Sequence, residues 1–170
     1  MEYIPEIYKK HILILGCGNI LFGDDGFGPA VCDYLKGHFE TPEDIGIEDC
    51  GTGVREILFN ITLSQQRPRE IVIVDAIDSN RRPGEVFNID IEDLPEIKID
   101  DFSMHHLPTS NLLRQLRDNC GVKISILSCQ TTHIPAEVEI GLSKELKTAV
   151  PEAAQILAER YRIERTNKYA

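Results

Sequence analysis

Two carboxylates stand side by side in a glycine-rich segment, GCGNILFGDDGFG, where Asp24 and Asp25 are flanked by Gly23, Gly26 and Gly28. Adjacent acids at such a place have two uses. They can accept the orphan N–H groups of a helix start and complement its dipole. They can also face a cleft and hold a cation or a proton. One acid suffices for capping, so a pair leaves one carboxylate for the cleft. The glycines invite comparison with a dinucleotide loop. However, Gly16, Gly18 and Gly23 give GxG, four residues and then G, whereas that fingerprint needs GxGxxG. Two acids would also repel the pyrophosphate that such a loop cradles.

Further candidates lie downstream. Asp75 closes the apolar run IVIVDA, where a carboxylate is costly to desolvate unless it is paired or binds a metal; its plain alternative is a local turn former. His105 and His106 follow an acidic stretch and are either exposed or part of a site. If Asp25, Asp75 and His105 converge, two carboxylates and one imidazole suit a divalent transition metal with open positions. Such a metal polarises a carbonyl and lowers the pKa of bound water, and an unligated Asp24 could orient that water. His133, in CQTTHIP, is a weaker candidate on another loop. In DCGTG, Gly51 and Gly53 permit either a tight turn or close approach of a substrate backbone, and Thr52 is a candidate helix cap. The chain has no HExxH, no GxSxG and no P-loop.

These residues need elements to position them. HILIL (His11 to Leu15) and IVIVDA (Ile71 to Ala76) read as buried strands, with a weaker strand over Ile45 to Glu48 and another over Val122 to Cys129. Val86 to Ile91 alternates like an edge or antiparallel strand, and Glu137 to Ile140 like a short extended piece. Helical spacing predicts one helix from near Asp25 and a second from Val54. A third has Pro108 in its first turn, contains Leu112, Leu113 and Leu116 and ends before Gly121, and a last one runs from Ser143 to about Arg162, with a kink or fresh start at Pro151. The pattern predicts a single α/β domain over 1–170, with its core at 11–163. The expected architecture is a three-layer α/β/α arrangement: a twisted, mostly parallel sheet of about five strands with helices on both faces. Ligands of such sheets bind outside the strands' carboxyl ends, so the loops beginning at Gly16, Asp49, Asp75 and Cys129 should open on one side.

Composition narrows the function. With 18 Lys plus Arg against 28 Asp plus Glu, the formal charge of −10 disfavours nucleic acid and anionic membrane as partners. Many of the acids fall in Gly84 to Asp101, a solvated face or a docking surface for a basic segment. The five cysteines form no CxxC pair, which argues against a disulfide framework or a Cys-rich zinc site. No run approaches the ~18 apolar residues of a membrane span, and the amino-terminal segment has no apolar signal region, so a cytoplasmic location is expected.

Taken together, ILILGCGNILFGDDGFG, DCGTG, IVIVDAID and SMHHL resemble, in order and spacing, the hydrogenase maturation protease family. They look most like the enzymes that serve deazaflavin-reducing hydrogenases of methanogenic archaea. The resemblance implies an endopeptidase that removes the C-terminal extension of a [NiFe] hydrogenase large-subunit precursor once nickel is in place. It implies metal contacts at Asp25, Asp75 and His105, with nickel supplied by the precursor and no organic cofactor. It further implies a catalytic neighbour in Asp24, substrate contacts at Gly51, Thr52, Gly53 and His106, and a monomer or weak homodimer. Some relatives carry Glu at the position of Asp25, and some a glycine at that of Cys50, which is either a buried small residue or a soft contact near nickel. A nickel-sensing chaperone without protease activity, or a small-molecule-binding α/β protein, remain the alternatives.

Overall fold

The computed structural model describes residues 4–93 and 109–167. Strand β1 (Ile12–Cys17) leads through a 3-10 turn (Gly23–Gly26) into helix α1 (Phe27–His38). Next come β2 (Ile45–Gly51), α2 (Val54–Leu63), β3 (Glu70–Ile77) and β4 (Val86–Ile89). The chain closes with α3 (Thr109–Cys120), β5 (Lys123–Gln130) and α4 (Lys144–Tyr161). The strands form one five-stranded sheet in the order β2-β1-β3-β5-β4. All pairs are parallel except β4 with β5, so the alternating Val86 segment is the antiparallel edge strand.

Alternation along the central strand creates two cores. Val72, Val74 and Ala76 of β3 pack into a cluster with Phe27, Val31 and Leu35 of α1 and Ala153 and Leu157 of α4. Ile71 and Ile73, pointing the other way, pack with Leu58 and Ile61 of α2 and Leu112 and Leu116 of α3. A strand buried on both faces must be apolar at every position, which is why IVIV reads as a continuous run. Each of the Val, Leu, Ile and Phe side chains among these contributes roughly 2 kcal/mol by leaving water. The expected three layers are therefore present, with α1 and α4 on one face and α2 and α3 on the other.

Three local expectations change. The first helix, expected from near Asp25, is entered through a 3-10 turn that holds both acids, so α1 itself begins at Phe27. Thr52 does not cap α2, because Gly53 occupies the cap position without a side-chain bond. Helix α4 runs unbroken through Pro151 from its cap Ser143, whose hydroxyl accepts the Leu146 N–H at 3.4 Å.

The strand order also fixes a crevice. From β1 the chain crosses to β2 on one side through α1, then returns past β1 to β3 through α2 on the opposite face. The carboxyl ends of β1 and β3 are thus the point where connections diverge, the usual ligand position in such sheets.

Candidate active site

The glycine loop is a close-packed mount. A Cβ on Gly28 would overlap the carbonyl oxygen of Val74 and sit 2.5 Å from the backbone N and O of Cys17. The first turn of α1 therefore rests directly on the ends of β1 and β3. A Cβ on Gly16 would lie 2.5 Å from Gly28 O and 2.6 Å from Cys32 Sγ. Gly18, at φ +130°, has no room for a side chain because the carbonyl oxygen of Asp25 occupies it. These glycines serve helix-on-strand contact, and the contact delivers the acids to the crevice.

Asp24 and Asp25 then part company. Asp25 is half-buried, and its Oδ2 accepts the Asn19 N–H at 2.7 Å, which fixes the carboxylate over the loop. Asp24 is 2% exposed. Its Oδ1 accepts the Ser143 N–H at 2.7 Å, while Oδ2 accepts the Thr132 N–H at 2.9 Å and the Ser143 hydroxyl at 3.1 Å. Asp24 thus ties both ends of the 132–143 loop to the 3-10 turn and stands behind the cap of α4. Charge-assisted bonds of this kind are stronger than neutral ones. Capping of α1, the plain reading from sequence, is not what this carboxylate does: Gly26 holds that position without a side-chain bond.

Asp75 lies two residues inside the end of β3, opposite Ser128 of β5, rather than at the strand's last position. It is half-buried overall, and its Oδ1 is shielded from solvent. By alternation it shares the sheet face of Ile71 and Ile73, the face covered by α2 and α3. The 3-10 turn bearing Asp24 and Asp25 packs against β3, so both half-buried acids belong to the same end of the sheet. His105 and His106 lie outside the described residues. Among the described residues, no group of three or more His, Cys, Asp or Glu is arranged to hold a metal ion. Asp25 and Asp75 offer hard oxygen donors suited to a divalent cation.

The DCGTG loop borders this site. The Gly18 N–H donates to Gly51 O at 2.9 Å, joining the two glycine loops. Gly51 has φ +50° and open space beyond its Cα, while Thr52 and Gly53 are exposed. The turn is held locally by the Gly51 N–H on Asp49 Oδ1 at 2.9 Å and the Gly53 N–H on Cys50 O at 2.8 Å. The Cys32 and Cys50 thiols both donate to Glu48 O, at 3.4 and 3.7 Å. Burial pushes each thiol up to about 12, which favours the neutral form of both. Cys17, Cys32 and Cys129 are buried as small apolar residues. His133 is exposed on the 132–143 loop, and His38 stacks on Tyr34 with ring centroids 3.9 Å apart.

Sequence reasoning missed the residues that hold the acids. Gln130, 4% exposed, shapes the loop after β3: its Oε1 accepts the Ser79 and Arg81 N–H groups at 2.8 and 3.1 Å, and its Nε2 donates to Asp78 at 3.0 Å. That bond and the Asn80 N–H hold the Asp78 carboxyl below its usual range. Asn19, Thr132 and Ser143 hold Asp25 and Asp24 chiefly through backbone N–H groups, which no side-chain pattern announces. The nearest signal was Asn19 beside Gly18 in the glycine loop.

A doubly wound α/β domain with acids at the switch point of its sheet defines the class, and relatives narrow it. A sequence profile described as hydrogenase maturation protease matches residues 29–160. The chain is 37% identical over 150 residues to a Methanocaldococcus jannaschii protein named as a hydrogenase maturation protease, covering 88% of this chain and 95% of the relative. It is 34% identical over 154 residues to coenzyme F420 hydrogenase subunit delta of Methanothermobacter thermautotrophicus, covering 88% and 94%. Among solved structures, the [NiFe] hydrogenase maturation protease HycI of Thermococcus kodakarensis superposes with a TM-score of 0.68 at 27% identity, over 91% of this chain and 94% of that one. The hydrogenase maturating endopeptidase HybD of E. coli gives 0.67 at 26%, over 91% and 95%.

The chain belongs to the hydrogenase maturation protease family and is a peptidase. Its likeness to methanogen proteins, including an F420 hydrogenase subunit, agrees with the deazaflavin-type resemblance. Among the described residues, no helix is long and apolar enough to cross a membrane.

Proposed function

We propose that this peptidase removes the C-terminal extension from the large-subunit precursor of a [NiFe] hydrogenase, in the cytoplasm, after nickel has entered the precursor. The observation that carries the reading is the pair Asp25 and Asp75, two half-buried carboxylates at the switch point of the sheet in a chain of this family. Nickel is part of the substrate in this scheme. Asp25 and Asp75 supply hard oxygen donors to it, and His105, four residues before α3, supplies the imidazole. That distance corresponds to at most about 14 Å of extended chain. His106 is the second choice at this position.

The remaining residues position the substrate chain. Gly51, Thr52 and Gly53 border the acids as an exposed turn with open space above it, where an extended backbone can lie close. Asp24 acts as a positioning residue, since three donors already occupy its buried carboxylate. Asn19 orients Asp25 through a backbone N–H.

The test is to incubate the protein with nickel-loaded and nickel-free precursor and to weigh the products. Loss of the C-terminal peptide only from the loaded precursor is the expected result. Asp25→Asn and Asp75→Asn should each abolish cleavage while the circular dichroism spectrum and melting temperature stay close to those of the parent. Equal cleavage of nickel-free precursor would remove the nickel requirement. Binding without any mass loss would turn the reading into that of a chaperone.

A further inference from the structure

A paired, apolar strip adjoins the acids. Residues 21–23 and 138–140 form an isolated parallel bridge, in which the Gly23 N–H donates to Glu139 O at 2.7 Å and the Glu139 N–H donates to Leu21 O at 2.9 Å. Pro135 packs onto Gly23, whose Cβ would meet the ring at 3.0 Å. Asp24 fastens residues 132 and 143 at the two ends of the same loop. This clamped strip presents Ile20, Leu21, Ile134, Val138 and Ile140 to solvent, with Val138 63% and Ile140 76% exposed. Among the described residues, the other exposed large apolar side chains are Phe59 and Leu63, both on α2.

Scattered exposed apolar residues are ordinary, but a group of them on two segments bonded to each other marks an interaction surface. Two further features specify what it takes. Exposed Glu137 and Glu139 alternate with Val138 and Ile140, and HIPAEVEIG contains no Lys or Arg, so the strip is apolar with an acidic border. The strip is also continuous with the turn that carries Asp25, two residues beyond the bridge at Gly23. The strip is therefore adjacent in the chain to the carboxylate at which cleavage is proposed.

We propose that the 20–22 and 134–140 strip is a docking surface for the protein substrate, binding a segment next to the scissile bond that carries apolar side chains with basic neighbours. This assignment rests on the processing reading above. The clamp gives the strip its value: a surface already ordered by Asp24, Gly23 and Pro135 loses little conformational freedom when the partner arrives. The apolar side chains supply affinity, and the glutamates supply register and reject acidic segments.

The test uses the full chain and nickel-loaded precursor. Val138→Ser/Ile140→Ser removes the two most exposed anchors without touching Asp24, Asp25 or the loop's backbone bonds. The expected result is a rise in KM, and in the Kd for precursor capture, of about tenfold or more with kcat within about twofold of the parent. Glu137→Lys/Glu139→Lys should weaken capture in low salt and lose that effect in high salt. An unchanged KM and Kd in the serine variant, with cleavage intact, would overturn the docking surface and leave the processing reading standing. Capture by the parent without cleavage, lost in the serine variant, would overturn the processing reading and keep the surface. A parent that is dimeric in solution, and becomes monomeric in the serine variant with unchanged processing, would assign the strip to a second copy and overturn the proposal.

Discussion

The two glycine loops at the carboxyl edge of the sheet look alike in sequence and differ in structure. In the first, Gly16, Gly18 and Gly28 are glycine because backbone or sulfur atoms fill the space a side chain would take. In the second, Gly51 needs glycine only for its φ of +50°, and nothing lies within reach of its Cβ. One loop is a rigid mount that carries carboxylates, and the other is an open turn beside them. Hydrogen bonding repeats the contrast. Asp24 of the mount bonds to Thr132 and Ser143, more than 100 residues away in the chain, whereas Asp49 of the open turn bonds to its own neighbour Gly51. Rigidity at the first loop fixes Asp25, while openness at the second leaves room for a chain to lie.

Substitutions should expose that difference in a graded way. Gly28→Ala is expected to be the most damaging, costing about 3 kcal/mol or more, because the methyl group meets backbone atoms of both β1 and β3. Urea denaturation measures it, and a loss under 1 kcal/mol would show that the mount is not tight. Asp24→Ala should cost about 3 kcal/mol, since it leaves two backbone N–H groups and the Ser143 hydroxyl without their carboxylate. Asp24→Asn, which keeps an acceptor, should cost less and retain substantial precursor cleavage. Abolished cleavage in a well-folded Asp24→Asn protein would return Asp24 to the chemistry.

Gly51→Ala should cost only about 1 kcal/mol, the strain of a left-handed backbone, with no steric clash. Thr52→Ala should stay within about 0.5 kcal/mol of the parent because its side chain caps nothing. The thiols that meet at Glu48 O, one from α1 and one from the second loop, sharpen the comparison at its smallest scale. Their folded pKa of about 12 lies above the ordinary thiol value of about 8.5. Protonated thiols are favoured by the fold, so this contribution is intact below the unfolded value and is lost as pH rises toward 12. Iodoacetamide at pH 8 should label Cys32 and Cys50 slowly until denaturant is added, as mass spectrometry of the native and unfolded chains would reveal.

Much of the fold was legible because apolar periodicity is a local signal. The run IVIV reads as a strand covered on both faces, and Val86 to Ile91 alternates as an edge strand does, β4 ending at Ile89. The helices from Val54, around Leu112 to Leu116 and from Ser143 followed from apolar spacing; the placing of Pro108 in the first turn of α3 lies outside the described residues. The start of α1 near Asp25 was legible, but the capping role of the acids was misread, because acids before an apolar helical pattern look like a cap and sequence carries no sign of a 3-10 turn in between. Thr52 was misread for the same reason: its type suits a cap, but the turn at Gly51 places Gly53 there instead.

The sequence by itself determined which residues had the chemistry: adjacent acids in a glycine loop, an acid near the end of the central strand, and a family motif joining them. Those are properties of residue type and spacing. Only the tertiary structure decided that Asp24 is buried under three donors while Asp25 stays half-buried in the cleft. The reason is that Thr132 and Ser143 reach Asp24 from far along the chain, through two backbone N–H groups, which every residue type but proline carries, and the Ser143 hydroxyl. The exposed strip beside Asp25 was hidden in the same way, because 20–22 and 134–140 become one surface only when the loop folds back and the bridge closes.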